Sequence, residues 1–111
     1  MEADPREIDY YITDQESVPF LDWLYSLKDI RARAAIRIRI RRVSLGNFGD
    51  HRSVGDGVSE LRIDSGVGYR VYYGHDRDKI ILILCGGDKK TQTKDIKRAK
   101  GYWEDYKKKE K

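Results

Sequence analysis

Arg62 and Arg70 are the residues of this chain whose type and spacing point most directly to chemistry. Both lie in the segment Glu60 to Tyr73, where apolar and polar side chains alternate with a period of two. Along the first arm Leu61 and Ile63 fall on one side, with Glu60, Arg62 and Asp64 on the other. The second arm sets Tyr69, Val71 and Tyr73 against Arg70 and Tyr72. Alternation of this kind marks two half-buried strands, here joined as a hairpin. If the glycine-containing loop closes so that Ile63 faces Tyr69, Arg62 lies across from Arg70 and Glu60 across from Tyr72. Like charges facing each other across a ladder repel. An anion relieves that repulsion, and a phosphate suits the planar, forked guanidinium best. The same residues also fit a salt-bridge lattice, with Glu60 and Asp64 neutralising the arginines on an exposed sheet face.

The rest of the composition sets bounds on this reading. The chain has 111 residues, enough for one domain spanning 1–111 with one modest core. Its formal net charge is +4, and the positive residues are clustered. Arg31, Arg33, Arg37, Arg39, Arg41 and Arg42 fall in one segment, and Lys89, Lys90, Lys94, Lys97, Arg98, Lys100 and Lys107 to Lys109 lie toward the C-terminus. Clustering of this kind favours a polyanionic partner more than the total charge does. The alternative is a solubilising surface. The one cysteine, Cys85, sits in the apolar run from Ile80 and reads as a small buried hydrophobe. One cysteine and two scattered histidines do not make a zinc site, and no cofactor is expected. With no basic start followed by an apolar stretch, and no apolar run near the ~20 residues a bilayer needs, the expectation is a soluble, cytoplasmic protein.

The elements that must position the arginines follow from periodicity. Tyr10-Tyr11-Ile12 reads as a short strand. Glu16 to Lys28 reads as a helix, with Ser17 as its cap and Pro19 in its first turn. Ile36 to Arg41 alternates like a strand, but the alanines and arginines around it favour a helix from Asp29 to Leu45, ended by Gly46. That helix carries one apolar stripe at Ala32, Ile36, Ile40 and Val43, and a second at Ile30, Ala34, Ile38 and Leu45. One stripe serves the sheet; the second is expected to pack on the neighbouring helix, or else to await a partner. Asn47 to Gly57 reads as a polar loop, followed by strands at Val58 to Asp64, Gly68 to Gly74 and Lys79 to Cys85. A turn at His75 to Asp78 joins the last two strands, and Gly86-Gly87 ends the last. The final strand is apolar on both faces and should be central. A helix from Thr93 to Lys108 follows, its stripe made by Ile96, Ala99, Tyr102, Trp103 and Tyr106. The order β-α-α-β-β-β-α predicts an α+β domain with a small, largely antiparallel sheet and its helices on one face.

In order and spacing, several short motifs resemble the RelE/ParE toxin superfamily, and its HigB-like addiction-module-killer branch in particular. They are Gly46-Asn47-Phe48-Gly49-Asp50, Gly55-Asp56-Gly57-Val58, Glu60-Leu61-Arg62-Ile63, Gly66 to Tyr73, Gly86 to Gln92, and Asp95-Ile96 with Ala99. The likeness runs from about Phe20 to Tyr106. It implies a RelE-like microbial RNase fold and the toxin of a type II toxin–antitoxin module. The implied activity is ribosome-dependent, metal-independent cleavage of mRNA. Arg62 and Arg70 would hold the scissile phosphate and Lys89 would assist. The implied partners are the ribosome, mRNA and a cognate antitoxin, a helix-turn-helix protein forming a hetero-oligomer with the toxin. The likeness departs at Asp95-Ile96, where well-studied members carry a catalytic tyrosine. A non-enzymatic, ParE-like gyrase inhibitor is the alternative, and a degenerate toxin kept only for antitoxin binding is another.

Metal-free RNA cleavage sends the ribose 2′-hydroxyl against the adjacent phosphorus. It needs a base, an acid for the leaving 5′ oxygen, and cations for the developing charge. Arg62 and Arg70 suit the last role. Lys89, and behind it Lys90, follow the last strand, whose end lies beside the start of the Arg70 strand in an antiparallel pair. His51 and His75 have the free pKa that suits proton transfer. His75 reads as a turn residue, whereas His51 enters the site only if its loop folds back over Arg62. Glu60 is expected to orient the arginines, and Tyr72 to stack on a base or simply pack. The helix ridge Arg33, Arg37, Arg41, with Lys94 and Lys97, is expected to meet RNA backbone without sequence choice.

Overall fold

A strand that is apolar on both faces must be covered on both, and the architecture is built around that demand. The computed structural model describes residues 5–110. Its elements are β1 (Glu7–Tyr10), α1 (Pro19–Ser26), α2 (Ile30–Ser44), β2 (His51–Gly55), β3 (Val58–Ile63), β4 (Tyr69–Asp76), β5 (Ile80–Asp88) and α3 (Gln92–Lys109). A single 3₁₀ turn, Lys89–Thr91, links β5 to α3. The five strands form one mixed sheet in the order β1-β5-β4-β3-β2. β1 runs parallel to β5, and the other pairs are antiparallel.

The α+β class expected from the sequence holds, but the helices do not share one face. Leu61, Ile63, Val71, Tyr73, Ile81 and Ile83 meet Phe20 and Leu24 of α1 and Ala32, Ile36, Ile40 and Val43 of α2. On the other face Val58, Tyr72, Leu82, Leu84 and Cys85 meet Ala99 and Trp103 of α3. Alternate residues of β5 enter the two cores, so a single helical layer would leave Leu82 and Leu84 in water.

Several boundaries differ from the sequence reading. The Asn47 to Gly57 loop contains β2. Its side chains His51, Arg52 and Ser53 are exposed, so no apolar alternation announces it. An edge strand needs only backbone partners, and β2 finds them in Leu61, Glu60 and Ser59. Gly55, Asp56 and Gly57, with φ of 97°, 55° and 85°, make the turn into β3. The first strand is Glu7–Tyr10, earlier than expected, although Tyr11 still donates its backbone N–H to Ile83. α1 begins at Pro19 with Val18 at its cap, and the Ser17 hydroxyl hydrogen-bonds Thr13 instead. The turn between β4 and β5 falls at 77–79, which leaves His75 and Asp76 in β4.

α2 matches its expected span, and the Asp29 carboxylate accepts from the N–H groups of Arg31 and Ala32 at its start. Its second stripe does not pack on α1. Ile30, Ile38 and Leu45 are 71%, 52% and 55% exposed. Among the described residues no helix is long and apolar enough to cross a membrane, and no cluster of His, Cys, Asp or Glu is placed to hold a metal ion.

Gly86 and Gly87 do not end β5; they are slots within it. A Cβ on Gly86 would lie 2.2 Å from the Trp23 ring, and one on Gly87 would lie 1.8 Å from an Asp95 carboxylate oxygen on the opposite face. Replacing Gly86 with Ala should therefore cost about 1–3 kcal/mol by overpacking against Trp23. Urea unfolding of Gly86→Ala and of Gly86→Ala/Trp23→Leu checks this. The second substitution should return part of the loss.

Candidate anion-binding site

The hairpin closes in the register that places Arg62 of β3 opposite Arg70 of β4, with Glu60 opposite Tyr72 and Ile63 opposite Tyr69. Both arginines share the sheet face covered by α3. They are not equivalent: the Arg70 side chain is 5% exposed and that of Arg62 is 38% exposed. Between and behind them sits Glu60, with a side-chain exposure of 0%.

Glu60 is the centre of the cluster. Its Oε1 takes a hydrogen bond from Nε of Arg52 at 3.1 Å. Its Oε2 takes one from Nε2 of Gln92, at the start of α3, at 2.8 Å. Arg62 and Arg70 stand farther off, with Nε 3.6 and 3.9 Å from Oε1. These are attractive charge contacts and longer than a hydrogen bond. The Arg70 Nε is buried without a hydrogen-bond partner among the described residues, while its Nη1 donates to the Tyr69 carbonyl at 3.0 Å. One carboxylate thus shares its charge among three guanidiniums and accepts hydrogen bonds from Arg52 and Gln92. The facing pair keeps unmet donor capacity and net positive charge.

Beside that pair an open hollow of about 410 Å³ is lined by Arg70, Lys89 and the hairpin loop from Asp64 to Gly68. The Lys89 backbone N–H donates to the Gly68 carbonyl at 2.9 Å. A Cβ on Gly68 would meet Arg70 Nη1 at 3.6 Å and Lys89 Cβ at 3.7 Å, so both basic residues flank the same glycine. Gly68 holds φ of 80°, a conformation that favours glycine. Asp64 lines the hollow and is exposed; it takes no part in the Glu60 cluster. Lys90 is exposed on the 3₁₀ turn, whose first N–H groups are capped by Asp88. The hydroxyl of Tyr72 is buried beside Glu60, its cross-strand partner. Burial first, and the charge of Glu60 second, push its pKa far up. Tyr72 therefore stays neutral and packs; its ring lies in the core under α3, out of reach of a nucleobase.

His51 does not join this group. It pairs with Leu61, and its ring lies against Phe48, 5.4 Å between centroids, on the sheet face covered by α1 and α2. Its neighbour Arg52, one place along the strand, falls on the arginine face instead. His75 belongs to the same far cluster, 5.7 Å from Phe48. At the start of α3, Asp95 is buried, accepts from the Thr91 hydroxyl, and lies 3.6 Å from Arg98. It serves helix packing. Arg33, Arg37 and Arg41 lie on α2, across the sheet from the site, whereas the exposed Lys94 and Lys97 lie on α3. Arg52 and Gln92 are the residues that sequence reasoning missed. Arg52 was hidden by the misread edge strand. Gln92 was hidden because nothing local marks a glutamine as the partner of a carboxylate on a distant strand.

A small α+β protein with a buried carboxylate under a row of cations is the class that fold and site define. The family model described as phage derived protein Gp49-like matches residues 22–103, and the chain belongs to that family. It is also 55% identical over 84 residues to an uncharacterized protein of Haemophilus influenzae, a match covering 76% of this chain and 85% of the relative. The family match corrects the likeness to the RelE/ParE superfamily and its HigB-like branch: this chain's family is a different one. The motifs that carried the likeness include Gly46, Gly49, Gly55, Gly57, Gly66 and Gly68, all at positive φ. Tight turns in any small sheet demand glycine at such positions, so their spacing reports turn geometry more than descent.

Two outcomes test this picture. Glu60→Gln leaves Arg70 buried without its counter-charge and should lower stability by about 3–5 kcal/mol, measured by urea unfolding; a loss near zero would show that the arginines do not depend on Glu60. The second concerns His75, whose pKa is lowered by burial first and by Arg6 second, with Asp78 acting the other way. The folded chain therefore binds that proton less readily than the unfolded one. Stability should fall as pH drops through the ordinary histidine value of about 6.5. Unfolding curves of wild type and His75→Asn across that range should differ in slope, with the variant flatter.

Proposed function

We propose that the protein is an endoribonuclease that cleaves mRNA by attack of the ribose 2′-hydroxyl, with arginines in place of a metal as the charge-stabilising groups. The observation that carries the reading is the facing pair Arg62 and Arg70 on one sheet face, with Arg70 and Lys89 lining an open hollow beside it. Their residual positive charge and unmet donors suit two phosphate oxygens on which negative charge grows during attack. Lys89 stands where it can neutralise the leaving side of the linkage. With both histidines in the Phe48 cluster on the far face, proton transfer falls to Lys89, Lys90 or groups that the ribosome and substrate bring. That requirement supports action on ribosome-bound mRNA, with exposed Lys94 and Lys97 and the α2 arginines meeting ribosomal RNA.

Cleavage of its own cell's mRNA is lethal unless restrained. This supports the further reading of a toxin held by a cognate antitoxin, and the exposed Ile30, Ile38 and Leu45 of α2 are the apolar surface such a protein would cover. Arg62→Ala is the sharper variant, because Arg62 is partly exposed and its loss leaves Glu60 paired with Arg52 and Arg70. In a translating extract the wild-type protein should cut reporter mRNA, and Arg62→Ala should do so at least about a hundredfold more slowly with an unchanged melting temperature. Intact reporter mRNA in an extract that is making protein, with wild-type protein added, would end the nuclease reading. Growth arrest with intact mRNA would favour a binding inhibitor.

A further inference from the structure

Arg52 sits in β2 on the same face as Arg62, Arg70 and Glu60, paired with Glu60 across the ladder. Arg62 and Arg70 pair across the next ladder, two residues farther along. Lys89 follows two residues after Gly87, the β5 partner of Arg70. Arg52, Arg62, Arg70 and Lys89 therefore form a diagonal row of cations over four adjacent strands. Strands are ~4.8 Å apart, so the row is wider than one phosphate group.

Arg52 and Arg70 lie on the two strands that flank Glu60. The Glu60 carboxylate, with Oε1 3.1 Å from Arg52 Nε and 3.6 and 3.9 Å from the Nε of Arg62 and Arg70, disfavours one anion that spans Arg52 and Arg70, because a phosphate laid over it would meet like charge. The Arg52 contact to Glu60 runs through Nε, the inner edge of the guanidinium, and its side chain remains 51% exposed. Resting on the nuclease reading above, we infer that Arg52 forms a second phosphate subsite, for the linkage next to the one held by Arg62 and Arg70. The ligand is then a single-stranded RNA backbone of at least two linkages, crossing the sheet from β2 toward the end of β5, with Glu60 as the spacer that keeps the two phosphates apart.

The test uses uncleavable 2′-O-methyl oligonucleotides, a dinucleotide with one phosphate and a tetranucleotide with three, titrated into the full chain by NMR at several salt concentrations. Arg52→Ala should weaken tetranucleotide binding about fivefold more than dinucleotide binding at low salt, while the slope of log K against log salt for the tetranucleotide falls by about 0.7, the value for one single-strand phosphate contact. Arg52→Lys should keep the slope. Chemical shifts of the free variants, compared with wild type, report whether the Glu60 cluster survives. Equal weakening of both oligonucleotides would mean that Arg52 acts only through Glu60 on the first phosphate, and would overturn the subsite while leaving the nuclease reading standing. No effect on either would overturn it too. Failure of the wild-type chain to bind either oligonucleotide would remove the nuclease reading itself, and the subsite with it.

Discussion

The buried carboxylate of Glu60 is the constraint on which the rest of the site depends. Three arginines converge on one face of a small sheet, one of them almost wholly buried. Without a counter-charge such a cluster would repel itself out of the fold, since desolvating an unpaired guanidinium costs several kcal/mol. One carboxylate is enough to keep the group together and too little to neutralise it. Its two good hydrogen bonds go to Arg52 and Gln92, so Arg62 and Arg70 are held by longer-range attraction. That imbalance leaves the cluster with positive charge to spare.

The two-sided sheet makes the imbalance possible. α3 covers the second core and brings Gln92 over the end of β3, closing Glu60 off from water. The same closure seats Trp103 against Gly74 and Asp95 against Gly87, where no larger side chain would fit. The opposite face belongs to α1 and α2. There the histidine rings lie tilted against Phe48, and Arg39 ties the loop carbonyls of Phe48 and Asp50 to that of Arg62. Arg39 thus braces the strand that carries Arg62 from behind, a structural duty for one member of a basic segment that looked uniform in sequence.

Membership in the Gp49-like family and the close relative from Haemophilus influenzae place the chain without naming its chemistry. The functional reading therefore rests on geometry. It gains from this in one respect: the arginine pair was inferred from strand alternation and loop closure, which are independent of the superfamily likeness that did not hold.

The sequence by itself determined the hairpin and the faces of its arms, because period-two alternation puts Leu61, Ile63, Val71 and Tyr73 on one side; the pairing of Arg62 with Arg70 followed only if the loop closed with Ile63 against Tyr69, as it does. It also determined α2 and α3, whose apolar stripes are local. Other features were decided only by tertiary structure. β2 has no apolar face, so nothing local distinguished it from a loop, and with it went the place of Arg52. The side of the sheet on which His51 falls depends on one residue of register. The exposure of Ile38 depends on how far α1 and α2 stand apart. The burial of Glu60 under Gln92 joins residues 32 positions apart. Local pattern encodes which face of an element is apolar; which elements then meet is set by packing the whole chain at once.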